Sequence, residues 1–248
     1  MLKEKRQQLI LNLLYQHGQV QVDALAAEFS ASRDTIRRDL SELEAQGILK
    51  RVYGGAVPQK QLAAGIDLRK GVQRDEKYQV ACKAVGLLKP DSMIVIDGGT
   101  TNALFASLIP LSMPIRVVTN SFPVAQALWN HPEAQVTFLG GHCNKGSKTT
   151  VGETVDAQLK NYRFDQCFLG AYGVDARNGV SVVYPYEDEV GVKQFFVEHS
   201  REVNVMASCS KLDVTANYLI CPLSRVERIL CERPVSKQQQ ARYQNKIY

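Results

Sequence analysis

Residues 32–40 read Ser32-Arg33-Asp34-Thr35-Ile36-Arg37-Arg38-Asp39-Leu40 and continue through Leu43 to Gly47. Ile36, Leu40 and Leu43 recur at helical spacing and give one apolar face. Ser32 stands where an N-cap belongs, its hydroxyl able to accept from a free amide of the first turn. Gly47 suits the end of the helix. The opposite face carries Arg33, Thr35, Arg37 and Arg38, donors that a DNA major groove accepts on base edges or phosphates. Asp34, Asp39, Glu42 and Glu44 nearly balance these arginines, so a solvated surface helix is the alternative for this segment alone.

The flanking residues favour nucleic acid. Residues 3–17 place Leu9, Ile10, Leu13 and Leu14 on one stripe that closes at His17-Gly18. Gln19 to Val22 alternates as a short extended piece, Asp23 is placed to cap a helix from Ala24 to Phe29, and Ser30-Ala31 turns into the next helix. Three short helices, the last two joined by a tight turn, describe a helix-turn-helix. Beyond Gly47, Ile48 to Val57 mixes apolar and basic positions as a two-stranded ribbon would, with Gly54-Gly55 freeing the turn backbone. Such a ribbon is a wing. Arg51, Tyr53, Gly54 and Gly55 on it join Ser32, Arg33, Thr35, Arg37 and Arg38 as candidate DNA contacts.

Charge alone does not argue for DNA. The net charge of +5 over 248 residues is mild, and residues 1–60 hold nine Lys/Arg against seven Asp/Glu. Placement carries the reading instead. Apolar content of 45% and charged content of 22% are those of an ordinary globular protein long enough for two domains. Six scattered cysteines form no C-x-x-C pair, and His142-Cys143 lacks the further ligands of a zinc site, so reduced thiols and no metal are expected. The N-terminus does not read as a signal peptide, and no apolar run reaches membrane-spanning length. A cytoplasmic protein without a membrane partner is expected.

Residues 1–57 are read as the winged helix-turn-helix domain, 58–73 as a linker, and 74–248 as an effector-binding and oligomerisation domain. A helix from about Asp75 to Leu88 opens the second domain. Strands at 93–96, 115–118, 136–139, 167–170, 203–206 and 229–231 then alternate with helices. The fold class is α/β, with a mainly parallel sheet covered on both faces. Ligands of such sheets bind beyond the carboxyl ends of the strands, where the small-polar and glycine clusters of this chain fall. Asp97-Gly98-Gly99-Thr100-Thr101 is the sharpest: glycines admit close approach, while hydroxyls and helix amides suit a phosphate, although a tight turn alone would use the same residues. Thr119-Asn120-Ser121 and Gly140-Gly141 are further candidates. Glu189 and Lys193, four apart on a helix, are either a surface pair or a source of cationic charge for the cavity. Lys145, Lys211 and Tyr172 complete the candidate set. The last stretch, Arg233 to Tyr248, is read as a loose helix before a short terminal strand.

Thr35-Ile36-Arg37-Arg38-Asp39-Leu40, with Leu43-Glu44, Gly47, Leu49, Arg51 and Gly54-Gly55-Ala56, resembles the DeoR family of bacterial transcriptional regulators. The order Asp97 to Thr101, Thr119 to Ser121, Gly140-Gly141, Gly152, Gly170, Glu189…Lys193 and Ser210-Lys211 is similar to that family's sensor domain. The resemblance implies a fold of the ribose-5-phosphate isomerase type. It also implies a repressor of carbohydrate genes, a phosphorylated sugar or related metabolite as effector with no cofactor, operator DNA as partner, and a homodimer or homotetramer. Tyr172 and Ser208 stand where many relatives carry aspartates, which points to a different effector or one stacked on Tyr172, Tyr184 or Tyr186. Two other readings stay open: an aldose–ketose isomerase with a DNA-binding appendage, and a DNA-binding regulator without a ligand.

Overall fold

A computed structural model describes residues 2–17, 19–46, 49–58, 66–69, 73–183 and 186–248. The expected helix ends at Gly18 and Gly47, Ile48, most of the 58–73 linker, and Tyr184-Pro185 lie outside the described residues. The chain folds as two units, Met1–Gln73 and Arg74–Tyr248.

The first unit runs α1 (Lys3–His17), β1 (Val20–Gln21), α2 (Val22–Glu28), α3 (Arg33–Ala45), β2 (Leu49–Val52), β3 (Gly55–Pro58) and α4 (Ile66–Arg69). Ile10, Leu14, Leu25, Ile36, Leu40, Leu43 and Leu49 meet in one core, so the apolar stripes of all three main helices converge. β2 and β3 form the wing hairpin, and β1 pairs antiparallel with β3. One expectation fails. Asp23 lies in the first turn of α2 rather than at its cap, because the helix starts two residues earlier than expected, at Val22, which is drawn into the core.

The second unit opens with α5 (Arg74–Val85), then β4 (Met93–Ile96), α6 (Thr100–Ser107), β5 (Ile115–Thr119), α7 (Phe122–Leu128) and β6 (Ala134–Phe138). A hairpin of β7 (His142–Asn144) and β8 (Thr149–Val151) leads to α8 (Glu153–Leu159) and β9 (Phe164–Gly170). After β10 (Gly173–Asp175) and β11 (Gly179–Val182) come α9 (Val190–Glu198), β12 (Ser200–Met206), β13 (Tyr218–Cys221), β14 (Arg228–Leu230) and α10 (Lys237–Arg242). Six strands form one sheet in the order β14-β12-β9-β4-β5-β6, and every pairing in it is parallel. Ile94, Ile96, Phe168, Met206 and Leu230 share a core with α5, α6 and α7. Val95, Leu169 and Val205 alternate with them, face the other side and are buried there, where α9 packs. Sequence pattern did not anticipate the small antiparallel sheet β10-β11-β13 beside this framework. No described helix is long and apolar enough to cross a membrane.

The C-terminal stretch is docked, not loose. Ser236 caps α10, and Tyr243 is fully buried, its hydroxyl donating to the Val174 carbonyl at 2.9 Å and accepting from the Asp213 amide at 2.7 Å. Ile247 then pairs in parallel with Ile229 on the outside of β14. The outward amide and carbonyl of Ile247 are both taken by the Gln240 side chain, at 3.2 and 2.6 Å.

Candidate effector site and nucleic-acid interface

In α3 three of the four acidic residues are engaged by other elements of the unit, while the arginines stay exposed. Ser32 Oγ accepts from the Thr35 amide at 3.1 Å, the expected N-cap, and also bonds the Thr35 hydroxyl. Asp39 is buried and takes Arg6 Nε at 2.5 Å and Nη2 at 3.1 Å, which ties α3 to α1. Glu42 bonds Lys3 at 2.7 Å and Gln7 at 2.7 Å, and these two partners hold its carboxyl below the usual range. Glu44 accepts the Arg51 amide at 2.8 Å and so fixes the start of the wing. The carboxylates counted against a DNA reading are therefore mostly structural. Arg33 and Arg37 remain exposed, in solvent-screened pairs with Asp23 and Asp34, and Arg38 is exposed with no ion pair among the described residues.

Tyr53 stands fully exposed at the wing tip, beside Gly54 with φ +77°. Arg51 is exposed, its Nη1 donating to Ser41 Oγ. Gly55 does not belong with them as a DNA contact: it is buried, and a Cβ there would lie 1.9 Å from the Val20 carbonyl oxygen. Its small size serves the β1–β3 pairing.

In the second unit the sheet order reverses between β4 and β9, since β5 and β6 extend one way and β12 and β14 the other. The crevice at such a switch point is where parallel sheets hold ligands. Asp97 follows β4 there, and its Oδ2 accepts from the Gly170 amide at 2.9 Å across the switch. The same oxygen pairs with Lys193 from α9. Glu189 reaches Lys193 at 3.4 Å, and Thr149 donates to Glu189 at 3.4 Å. A Cβ on Gly98 would touch Thr149 and Ser121, and one on Gly170 would lie 2.7 Å from the Gly98 carbonyl oxygen. Asp97, Gly98, Ser121, Thr149, Gly170, Glu189 and Lys193 thus meet at one place. Thr100 and Thr101 open α6 beside it, half-buried, after Gly99 with φ +126° and no side-chain cap.

This cluster decides against one of the two readings offered for Glu189 and Lys193. They are not a surface pair, both being almost fully buried, and the Lys193 ammonium lies at the switch point between the Asp97 and Glu189 carboxylates. Burial alone would lower the Lys193 pKa, but Asp97 and Glu189 outweigh it and hold the ammonium above its ordinary value. Burial pushes the Asp97 carboxyl up, against the pull of Lys193, and Glu189 adds to the rise.

Several other candidates have structural contacts of their own. Thr119 is fully buried, donating to the Ile96 carbonyl at 2.6 Å and accepting from the Ser121 amide. Ser121 caps α7. Both backbone groups of Gly140 are bonded by the Gln158 side chain, and a Cβ on Gly141 would strike Val155. Asn120 is buried beside Thr150, to whose carbonyl it donates at 2.8 Å. Lys145 is exposed on the β7–β8 turn, and Lys211 donates to the Ala171 carbonyl. Tyr172 is 44% exposed, whereas Tyr186 is buried.

Residues 6–61 match the DeoR-like helix-turn-helix domain, and residues 72–233 match the DeoR C terminal sensor domain. The chain belongs to the DeoR family. A putative aga operon transcriptional repressor of Escherichia coli O157:H7 is 31% identical over 94% of this chain and 87% of its own. The glycerol-3-phosphate regulon repressor of Escherichia coli (strain K12) is 30% identical over 94% of this chain and 92% of its own. A solved ribose 5-phosphate isomerase from Methanocaldococcus jannaschii is 22% identical with a TM-score of 0.42, covering 56% of this chain and 54% of that one. As a DeoR-family member the chain is a DNA-binding transcriptional regulator and not an enzyme. The residues that sequence reasoning passed over in this DeoR-family chain are Arg6, Asn102 and Thr149. Arg6 was legible only as one charge in an amphipathic helix, and the other two only as polar residues near glycines.

Proposed function

We propose that this regulator represses carbohydrate-metabolism genes in the cytoplasm, and that a phosphorylated sugar or related metabolite at the β4–β9 switch point sets its grip on operator DNA. The carrying observation is the meeting of Asp97, Gly170, Glu189 and Lys193 beside the uncapped first turn of α6. Free first-turn amides and the Thr100 and Thr101 hydroxyls suit a phosphate, and the polar cluster suits the rest of a sugar. The names of the similar aga operon and glycerol-3-phosphate regulon repressors support the choice of target genes. The protein acts as a homodimer or homotetramer that sets one helix-turn-helix on each half-site. Ligand controls binding only through different affinities for the DNA-competent and DNA-incompetent arrangements.

A thermal-shift screen of phosphorylated sugars and their unphosphorylated parents, repeated with operator DNA, tests this. One phosphorylated compound is expected to stabilise the sensor unit by about 2.7 kcal/mol at a hundredfold excess over Kd. The same compound should change operator affinity, and its parent should do neither. Equal effects from parent and phosphate would refute the reading. On the DNA side, Arg33, Arg37 and Arg38 face the groove with Arg51 and Tyr53 on the wing. Arg38→Ala is expected to cost about 1–3 kcal/mol of operator affinity and to relax preference at one base pair. Binding titrations against single-base operator variants read this out.

A further inference from the structure

The six-stranded sheet ends at β6 with its backbone open. The Leu139 amide donates to the Thr119 carbonyl at 2.9 Å, and the Ile115 amide donates to the Glu133 carbonyl at 3.4 Å. Odd-numbered residues of this stretch therefore turn their backbone groups toward β5, and alternation points those of Ala134, Val136 and Phe138 away from the sheet. His131 Nδ1 takes the Ala134 amide at 3.0 Å. Among the described residues the outward groups of Val136 and Phe138 have no partner. A charge, a proline or a bulge commonly guards such an edge, and Ala134-Gln135-Val136-Thr137-Phe138 contains none of them. The side chains carry the same signal. Ala134 packs on the core that α7 shares, and Phe138 meets Phe122 with ring centroids 4.7 Å apart, so the apolar face of β6 lies on the α7 side. Phe122 and Trp129 stand seven residues apart, on one face of α7 and its helical C-cap. Both are exposed, Trp129 to 82%, as is Val136 at the centre of the strand.

This strand is complementary to itself. A two-fold axis through Val136 sets that residue beside its own copy, its amide and carbonyl each matched by the other's. Phe138 then lies opposite Ala134, whose carbonyl is free to accept the Phe138 amide, and Gln135 lies opposite Thr137. Apolar side chains meet on one face, amide and hydroxyl on the other, and no two charges are brought together. A closed two-fold interface needs a surface that matches itself in this way. We infer that a second copy of this chain docks here: two sensor units join antiparallel through β6 into one continuous sheet, and each covers Phe122 and Trp129 of the other. The inference rests on the homo-oligomer reading and gives it a surface.

Sedimentation equilibrium and fluorescence of the full chain over a dilution series test this, because Trp129 is the chain's single tryptophan. In the associated state its emission is expected in the blue, as for a buried indole, moving to the red in step with loss of mass on dilution. Val136→Lys sets two ammonium groups side by side across the axis and is expected to weaken that association at least about a hundredfold. Val136→Ile keeps the backbone pairing and should stay within about threefold of the wild type. Wild-type dilution alone decides if the lysine variant does not fold. An associated chain whose Trp129 emits in the red, or association that survives Val136→Lys, overturns the inference and leaves a homo-oligomer built on another surface. A wild type that stays monomeric at every concentration overturns the homo-oligomer reading, and this inference with it.

Discussion

Asp39→Ala is expected to abolish operator binding although Asp39 touches no DNA. The substitution removes the carboxylate that takes two Arg6 hydrogen bonds in the partly buried contact with α3, and with it the strongest tie between α1 and the helix that carries the arginines. Breaking one side of a buried pair costs about 3–5 kcal/mol, and the 12% exposure of Arg6 places this pair at about 2–3. A unit of this size has a small core and little stability in reserve, so each kcal/mol lowers its melting temperature by about 4–8 °C. Calorimetry of the full chain should show the N-terminal transition shifted down by at least about 10 °C, with the sensor transition in place. Arg6→Met combined with Asp39→Leu should recover most of the loss, because well-packed apolar residues replace a buried pair at little cost. Unchanged melting in Asp39→Ala would show that α1 is held by its apolar stripe alone.

Lys193→Met carries the largest expected effect on the sensor unit. It leaves Asp97 and Glu189 buried side by side with no countercharge, at a cost of about 3–5 kcal/mol near neutral pH. The pH dependence has a definite sign. Burial already raises the Asp97 pKa, and loss of the ammonium raises it further, so the folded variant binds protons more readily than the unfolded chain. Its deficit is therefore absent below the unfolded carboxyl value of 3.8 and complete above the raised folded value. In the wild type the raised Lys193 pKa contributes stability below the unfolded value of 10.5, lost as pH climbs through the folded one. Urea unfolding at pH 5 and pH 7.5 should show the gap between variant and wild type shrinking in acid. A gap that is constant, or wider in acid, would mean the loss is one of packing alone.

Local patterns were legible in the sequence, and contacts across the fold were not. The Ser32 cap, the Ile36-Leu40-Leu43 stripe and six apolar strand cores each lie within a few residues, and each appears where the pattern placed it. Asp39 was counted with the solvated acids because its partner is 33 residues away on another helix. Glu189 and Lys193 read equally well as a surface pair or as charge facing a cavity, because Asp97, which holds Lys193, is 96 residues distant. Gly55, Thr119 and Ser121 are small or hydroxylic for reasons of packing and capping, which sequence composition does not separate from ligand binding. Strands β10, β11 and β13 are too short for alternation to announce them. At Asp23, a capping residue type lost to the burial of its neighbour Val22.

The Ile247 pairing decides how this sheet can meet another copy of itself. On the β14 side the chain's own tail occupies the edge, and the Gln240 carboxamide consumes the backbone groups that a further strand would need. Edge-to-edge joining is left to β6, the outer strand at the opposite end, whose central residues are exposed. Among the described residues this six-stranded sheet then has one joinable edge, so two copies that meet through β6 exhaust it in both. Growth by this route stops at a pair and cannot run on into a fibre.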